Sequence, residues 1–439
     1  KLGSLAKLHY PQLILVFGGP NFPIEDSEKI GFLKRYSAVD FYIELEGELG
    51  FVDLARKLEL YQFDVERLKA NGEKIQNCTY LSGEQLVSGP INSIQDINII
   101  PSPYLTGIMD PLFELPLIPM VETTRGCPFS CTFCADGLKI KSNVRRFDIN
   151  RIREELYFIA KKIRKSDELT LTDLNFGMYT EDLQTCQIIA ELREKYNWPI
   201  MIKAAAGKNK KEIIIEAATI LKGSWVVGAA IQSSNPEVLK AIKRNNISIS
   251  AYRDFIDFSN NLNKDALTYT EIILGLPLDS KERHFESLRF GIENGVKSLS
   301  MYQAILLPGT EMASQKCRSD YSLTTKFRTI PGCVGIYPFL GEKHSVAEIE
   351  EVIVSSKTMP FEDYVDCRIM NLLVETFYNN AMFEEVFALV RTIGLSVFDC
   401  LLDIKNHPEF YSSRIQEIIS EFVFQTSKDL YNNQIEAEN

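Results

Sequence analysis

Three cysteines lie close together in the stretch RGCPFSCTFCADG, residues 125–137: Cys127, Cys131 and Cys134. Thiolates at this spacing can form a redox pair, bind zinc or hold an iron–sulfur cluster. A Cys-x-x-Cys redox motif would leave Cys127 without a role, and a structural zinc ion requires a fourth ligand, usually from a second pair. Three thiolates from one loop leave one iron of a [4Fe–4S] cluster open, so the spacing favours a cluster that also binds a small molecule.

The Cys-x3-Cys-x2-Cys spacing, with the aromatic Phe133 before the last cysteine, resembles the signature of the radical S-adenosylmethionine (SAM) superfamily. The resemblance implies that the open iron chelates the amino and carboxylate groups of SAM, and that the reduced cluster cleaves SAM. It also implies that the resulting 5′-deoxyadenosyl radical abstracts a hydrogen atom from the substrate, and that an external flavodoxin- or ferredoxin-type donor supplies the electron. The cofactor carries this chemistry, while the protein orients it and excludes water.

Strand–helix alternation from residue 118 to about 311 predicts the elements that position the cysteines. Apolar runs, each followed by a helical pattern or a loop, predict strands over 119–124, 168–176, 199–207, 225–233, 267–277 and 298–310. Six units are too few for an eight-fold barrel and too many for the usual open sheet. The pattern therefore predicts an α/β fold, a partial (β/α)6 TIM-like barrel, with the cysteine loop directly after its first strand.

Residues near the ends of these strands are candidates for binding SAM, because barrel sites form at the C-terminal ends of strands. The resemblance assigns this role to Phe133, Asp173, Asn175, Gln232, Ser233, Arg244, Glu271 and Gly275. Asp173 and Asn175 lie where many family members have Gly-Gly-Glu, with a strand-end turn as the alternative role. Arg244 can pair with the SAM carboxylate, since a guanidinium matches a planar anion, but a surface arginine is an equal alternative. Tyr302 and Gln303 are candidates for substrate contact, with core packing as the alternative.

The N-terminal segment predicts part of a second α/β domain. An apolar strand over 12–17 ends at a turn formed by Gly18 and Gly19, which predicts a buried strand entering a tight turn. A helix, a second strand and a second helix are predicted over 25–36, 39–45 and 47–60. This alternation is typical of half of an open parallel sheet, since a complete doubly wound domain has about five strands.

Three segments, VFGGPNFP, LEGE and MVETTRGCPFSC, resemble the cobalamin-binding subgroup of the radical SAM proteins, which places a flavodoxin-like (Rossmann-like) cobalamin domain before the barrel. The resemblance implies that Gly18 and Gly19 let the backbone approach cobalamin. It favours a cobalamin-dependent methyltransferase that acts on an unactivated carbon of a small molecule or biosynthetic intermediate. The alternatives are another radical SAM reaction (cyclisation, rearrangement or sulfur insertion) and a non-catalytic iron–sulfur or zinc-binding protein.

The chain divides into four predicted parts. Residues 1–69 form the incomplete cobalamin-binding-like domain, 70–117 a linker, 118–320 the radical SAM core and 321–439 a helical C-terminal domain. The prolines of the second part favour an extended connector. The last part includes VAEIEEVIVSS, residues 346–356, whose apolar spacing predicts a helix.

The charge and composition of the chain limit the substrates and cellular locations that we expect for it. The chain has 48 basic and 59 acidic side chains, a net charge of −11, which disfavours a long nucleic acid as substrate because its phosphates require a basic surface. The basic run GKNKK, residues 207–211, is interpreted as a solvated turn. No apolar run is long enough to cross a bilayer, and no export signal is visible. Nine cysteines, six of them scattered, favour a reducing cytoplasm.

Overall fold

The structure, a computed structural model, describes residues 1–438 apart from 226, 227, 229 and 263–267. Parts of the predicted fourth strand and the first residue of the predicted fifth strand fall on these positions and lie outside the described residues. Within the described ranges, no helix combines the length and the apolar character needed to span a membrane.

The first part of the chain forms a four-stranded sheet flanked by helices. Its elements are α1 (Leu2–His9), β1 (Val16–Gly18), α2 (Asp26–Arg35), β2 (Phe41–Ile43), α3 (Gly47–Leu60), α4 (Val65–Ala70), β3 (Cys78–Ser82) and β4 (Gln85–Ser88). Strands β1 and β2 pair in parallel, whereas β3 pairs antiparallel with both β2 and β4. The two strands and two helices predicted before residue 61 are therefore confirmed, but the first strand was wrongly predicted to be buried, because Phe17 and Gly18 of β1 are exposed.

The β3–β4 hairpin corrects the prediction of an extended connector over 70–117. Cys78 and Tyr80 of β3 are buried in the core of the sheet together with Phe41 and Leu68. The turn contains Gly83, whose positive φ of 57° suits a two-residue hairpin loop. Two short runs rich in strand-forming residues, separated by a glycine, were the available signal in this stretch.

The cysteine loop and the barrel follow. The elements are β5 (Met120–Val121), β6 (Thr124–Arg125), β7 (Arg145–Arg146), α5 (Ile149–Lys162), β8 (Glu168–Phe176), α6 (Asp182–Tyr196), β9 (Met201–Ala206), α7 (Lys211–Ile220), α8 (Pro236–Ala241), α9 (Ile249–Leu262), β10 (Tyr269–Leu274), α10 (Lys281–Glu293) and β11 (Ser298–Gln303). Short 3-10 turns lie at Ile97–Ile99, Asp110–Glu114 and Lys139–Lys141.

The barrel strands are parallel neighbours in chain order. Strand β8 pairs in parallel with β5 and β9, and β10 pairs in parallel with β11. Between these groups, parallel bridges at Trp225, Gly228 and Gln232 join the fourth strand position to Ile202 on one side and to Tyr269 and Ile272 on the other. This order confirms the predicted partial barrel of six strand positions.

The barrel is held by one large apolar core between strands and helices. Leu169 and Leu171 of β8, Leu156 and Ile159 of α5, and Ile202 of β9 are all buried in it. Each such side chain contributes about 1.5–3 kcal/mol when removed from water. This rigid scaffold positions the loops at the C-terminal ends of the strands, where barrel sites form.

The C-terminal part begins with a long hairpin and continues in helices. Its elements are α11 (Gln315–Tyr321), β12 (Thr324–Phe339), β13 (Glu342–Ser355), α12 (Phe361–Leu373), α13 (Glu384–Thr392), α14 (Val397–Asn406), α15 (Ser413–Lys428) and α16 (Gln434–Glu438), with a π-helical turn at Val374–Asn379. The helical region is confirmed from Phe361 onward, whereas the domain boundary at residue 321 stays a prediction.

Strand β13 corrects the helix predicted over 346–356. Its apolar residues fit both the helical period and the strand period. The backbone of Glu351 and Ile353, however, pairs with Leu306 and Ala304, which follow the last barrel strand. The β-branched Val352 and Val354 are buried. Tertiary pairing and β-branched side chains therefore decide in favour of the strand.

Buried His284 links the barrel to the C-terminal helices and predicts a pH dependence. Its Nε2 atom in α10 lies 2.8 Å from Oδ1 of Asn371 in α12. Burial lowers the pKa of His284 from 6.5 to about 4. The hydrogen bond with Asn371 raises this pKa, but its effect is smaller. The unfolded chain therefore binds a proton at this residue below pH 6.5, while the folded chain does so only near pH 4.

We expect His284 to destabilise the fold as the pH falls from 6.5 to 4, by about 3 kcal/mol in total. In urea titrations at a series of pH values, the unfolding free energy of His284→Gln is expected to fall less steeply than that of the wild type. Parallel pH curves for the two proteins would contradict this assignment.

Candidate active site

The cysteine loop connects β6 to β7 at the C-terminal end of the first barrel strand. Cys127 and Cys131 are buried and Cys134 is half-buried. The Cys127 N–H donates to the carbonyl of Lys141 at 3.0 Å, and the Cys134 N–H donates to the carbonyl of Cys131 at 3.1 Å. These bonds fold the loop so that its three thiols lie on the inner side of the protein.

Two glycines make this loop geometry possible. Gly126 has a φ of 109°, and a Cβ there would lie 2.3 Å from the carbonyl oxygen of Asn143. A Cβ on Gly137 would lie 2.2 Å from the carbonyl oxygen of Cys131. Because both neighbours are backbone atoms, they cannot move aside without opening the loop.

Nitrogen donors face the thiols. Asn175 Nδ2 lies 3.4 Å from Cys127 Sγ, and Lys208 Nζ lies 3.6 Å from Cys131 Sγ. Arg244 is buried beside Cys131 and Cys134, and burial lowers its pKa. Burial also raises the pKa of Cys134. Donors and cations around buried thiols suit groups that function as thiolates.

The three thiols do not form a site for a single metal ion. Among the residues described, no three histidine, cysteine, aspartate or glutamate side chains are grouped closely enough to hold a single metal ion. This arrangement is compatible with a cluster, because each thiolate of a cubane binds a different iron atom.

A cavity lies beside the thiols inside the barrel. It is lined by Phe133, Cys134, Gln232, Arg244 and Glu271, among others. Gln232 has a positive φ of 62°, which is rare for a residue other than glycine. Its Nε2 donates to Glu271 Oε2 at 3.1 Å, and its buried Oε1 atom has no partner.

Asn175 beside the thiols carries a second unsatisfied acceptor. Its Oδ1 atom is buried without a partner. The residue lies where the register between β8 and β9 shifts, after Leu171 and before Phe176. Such irregularities redirect side chains near active sites. Two buried acceptors without donors indicate a ligand that carries N–H or O–H groups.

Ion pairs connect the N-terminal sheet to the strands on both sides of the cysteine loop. Glu46, in the turn after β2, pairs with buried Arg145 of β7 at 2.6 Å. Its other carboxylate oxygen accepts the Ile94 N–H at 2.6 Å. Glu48, in the first turn of α3, pairs with Arg125 of β6 at 2.9 Å. The LEGE turn therefore fixes the N-terminal sheet against the cysteine loop.

The glycine turn after β1 lies against the segment after β11. A Cβ on Gly309 would lie 2.4 Å from the carbonyl oxygen of Phe22 and 3.0 Å from that of Pro20. Gly19 has a φ of 115°, and a Cβ built there meets no atom within 4 Å. The turn is therefore docked on the barrel side and keeps open space over Gly19.

Comparison with known proteins agrees with this geometry. The model of the radical SAM superfamily matches residues 121–290, which include the three cysteines and the cavity. The chain is 28% identical over 383 residues to the 2-(S-pantetheinyl)-carbapenam-3-carboxylate methyltransferase of Streptantibioticus cattleyicolor, covering 84% of this chain and 53% of the relative. Residues 121–290 of the chain are therefore similar to the radical SAM superfamily.

The chain also resembles cobalamin-dependent members of this superfamily. It is 27% identical over 384 residues to the cobalamin-dependent radical SAM methyltransferase TokK of Streptomyces tokunonensis, covering 83% of this chain and 53% of TokK. It therefore spans about half the length of these two curated relatives. Its fold matches a solved structure of OxsB, a cobalamin-dependent SAM radical enzyme, with a TM-score of 0.58 at 13% identity, covering 97% of this chain and 64% of OxsB.

The structure brings together only some of the residues that the radical SAM resemblance assigned to SAM. Phe133, Gln232, Arg244 and Glu271 line the cavity beside Cys134, so their roles as SAM contacts stay predictions with a supporting geometry. Asn175 contacts a cluster thiol instead of the cavity. Gly18 and Gly19 lie in the N-terminal turn, and their contact with cobalamin likewise stays a prediction.

Three further residues predicted to contact SAM form hydrogen bonds within the protein, and their contact with SAM stays a prediction. The buried Asp173 carboxylate accepts hydrogen bonds from the hydroxyl and N–H of Thr123 and the N–H of Thr124, and burial raises its pKa to about 6. Ser233 Oγ accepts the Asn235 N–H at 3.2 Å at the start of α8. The Gly275 N–H donates to Asp279 at 3.2 Å. Asp173 therefore anchors the strand that leads into the cysteine loop.

Tyr302 and Gln303, the two residues predicted to contact the substrate, have different surroundings. Tyr302 is 53% exposed on β11, in register with Ile273 of the neighbouring strand. Gln303 accepts a hydrogen bond from Arg328 of the β12–β13 hairpin. Tyr302 remains a candidate for substrate contact, whereas Gln303 connects the barrel to the hairpin.

Sequence analysis missed Lys208, which it placed in a solvated turn. Lys210 is exposed and Lys211 pairs with Asp254 at 2.8 Å, but Lys208 faces Cys131. The missed signal was the position of Lys208 directly after the third barrel strand. The other candidates were identified by the rule that barrel sites form at the C-terminal ends of strands.

Proposed function

We propose that the protein is a cobalamin-dependent radical SAM methyltransferase that acts on an unactivated carbon of a small biosynthetic intermediate. The observation that carries this proposal is the set of three thiols, faced by nitrogen donors, next to a cavity that is lined by the unsatisfied Oε1 acceptor of Gln232. The position of the N-terminal glycine turn against the barrel supports the cobalamin part of the proposal.

Cys127, Cys131 and Cys134 would hold a [4Fe–4S] cluster, and SAM would occupy the adjoining cavity. When bound, the cluster and SAM supply the 5′-deoxyadenosyl radical, and cobalamin supplies the methyl group. The free Oε1 atom of Gln232 can accept a hydrogen bond from SAM, and the Arg244 guanidinium can face its carboxylate. Phe133 packs against the apolar cluster behind the cavity and keeps water out of it.

Cobalamin would lie over the C-terminal ends of β1 and β2, next to the open space at Gly19. Cofactors bind at this edge of open α/β sheets. The names of the relatives support this part, since TokK and OxsB are both described as cobalamin-dependent. The ion pairs of Glu46 and Glu48 would hold this sheet close to the cluster, as transfer of a methyl group requires.

The same comparison suggests a substrate class to test. The carbapenam named for the S. cattleyicolor relative is the first candidate substrate class. We further propose a flavodoxin- or ferredoxin-type electron donor and a cytoplasmic location, which the nine free thiols of the chain suit.

The test is anaerobic reconstitution with iron, sulfide, cobalamin and SAM, followed by mass spectrometry of a pantetheinyl carbapenam. The expected result is 5′-deoxyadenosine together with substrate heavier by one methylene group. Formation of 5′-deoxyadenosine by a protein that binds no cobalamin would instead indicate another radical SAM reaction. Absence of both iron binding and SAM cleavage would exclude the proposal.

A further inference from the structure

Lys208 occupies an unusual position for a lysine in a basic loop. It is half-buried at the end of β9, and its ammonium lies 3.6 Å from Cys131 Sγ. The same ammonium lies 4.8 Å from the centre of the Phe129 ring, within the cysteine loop itself. A cation over an aromatic face is stabilised by the ring quadrupole, so Phe129 holds Lys208 beside the thiol.

The charge of Lys208 is not neutralised by a carboxylate. In the part of the chain that the structure describes, its recorded contacts are the Cys131 sulfur and the Phe129 ring. Its two basic neighbours differ, because Lys210 is exposed and Lys211 forms an ion pair with Asp254. The field of the Lys208 ammonium is therefore directed mainly at the cysteine loop.

A fixed positive charge and an N–H donor next to a cluster thiolate favour the more negative state of the cluster. The reduced cluster carries one more electron than the oxidised cluster, so a nearby cation stabilises it. Hydrogen bonds to cluster sulfurs act in the same direction and are a main determinant of reduction potential. Asn175 supplies such a donor at Cys127, but without a charge.

We propose that Lys208 is a positioning residue that raises the reduction potential of the cluster through Cys131. It eases the one-electron transfer from the external donor to the oxidised cluster, a step in which no bond is formed or broken. The inference rests on the proposed function only in requiring that the three cysteines hold a cluster. It does not require cobalamin, SAM or a particular substrate.

The test is a redox titration of the reconstituted cluster, followed by electron paramagnetic resonance without SAM or cobalamin. At the potential where half of the wild-type cluster is reduced, we expect Lys208→Gln to lower the reduced-to-oxidised ratio about tenfold. Lys208→Arg retains the charge and is expected to remain within about twofold of the wild type. Lys203→Gln is the matched control, because Lys203 lies on β9, the strand that precedes Lys208, but pairs with Glu168 at 2.5 Å.

The outcomes distinguish a redox role of Lys208 from SAM binding and from a structural role. An unchanged reduction potential in Lys208→Gln would overturn the inference. If the affinity for SAM fell while the potential stayed unchanged, Lys208 would instead be a SAM ligand. Lys208→Met is the second neutral variant if the glutamine variant fails to assemble a cluster. Loss of the cluster in both neutral variants but not in Lys208→Arg would also overturn it, in favour of a structural role. A wild-type protein that binds no iron would instead refute the proposed function.

Discussion

Cys131→Ala is expected to abolish cluster assembly and SAM cleavage. Cys131 is buried, and both Lys208 and Arg244 approach its sulfur, so it is the thiol with the most cationic surroundings of the three. Alanine removes one of the three thiolates, and the remaining two cannot hold a cubane with a single open iron. We expect 5′-deoxyadenosine formation to fall by at least about 100-fold, which corresponds to roughly 2.7 kcal/mol or more in activation free energy.

Iron analysis and chromatographic measurement of 5′-deoxyadenosine after chemical reduction check this result. Cys400→Ala is the control, because Cys400 is a half-exposed free thiol of α14 that takes no part in the site. The control is expected to retain its iron and its SAM cleavage. Equal activity of Cys131→Ala and Cys400→Ala would show that the cysteine loop does not hold the cluster.

Glu46→Ala is expected to have the largest effect on stability among the ion pairs at the cysteine loop. Its carboxylate pairs with Arg145 at 2.6 Å and accepts the Ile94 N–H, and both charged side chains are largely buried. Removal of Glu46 leaves the buried guanidinium without a counter-charge, which costs about 3–5 kcal/mol. The loss is expected to loosen both the N-terminal sheet and the strand that closes the cysteine loop.

Glu48→Ala provides a control two residues away, in the first turn of α3. Glu48 also pairs with an arginine, Arg125, but its side chain is 37% exposed, so its removal is expected to cost less than about 1 kcal/mol. The double variant Glu46→Ala/Arg145→Met is expected to recover part of the loss, because it removes the unpaired charge. Urea unfolding measures all three, and equal costs for Glu46→Ala and Glu48→Ala would contradict the assignment.

The order of the barrel strands could be predicted because each strand is a short apolar run at the end of which the chain turns. The cysteine spacing could be predicted because it depends on positions within a single loop. Both are local patterns, and they survive in the structure because the long-range packing agrees with them.

The β12–β13 hairpin could not be predicted from its own residues. Its second strand has apolar residues that satisfy a helical period and a strand period equally. Pairing of Glu351 and Ile353 with the backbone after β11 favours the strand. A local sequence pattern does not specify such a distant partner.

The roles of charged side chains were the least predictable part of the site. Asp173 was predicted to bind SAM, which stays a prediction, but the sequence did not show that its carboxylate accepts the N–H groups of Thr123 and Thr124 at the start of β6. Lys208 and the Glu46–Arg145 pair were missed for the same physical reason. An ionic or hydrogen-bonding partner depends on which loops meet in space, and spacing along the chain does not specify that.

The central claim is that the three cysteines hold a cluster whose open iron binds SAM. The most direct measurement is the electron paramagnetic resonance spectrum of the reduced, reconstituted protein before and after addition of SAM, with product analysis of the same sample. The account predicts a cluster signal that changes on SAM addition and 5′-deoxyadenosine among the products. A cluster signal that SAM leaves unchanged, with no 5′-deoxyadenosine formed, would contradict it.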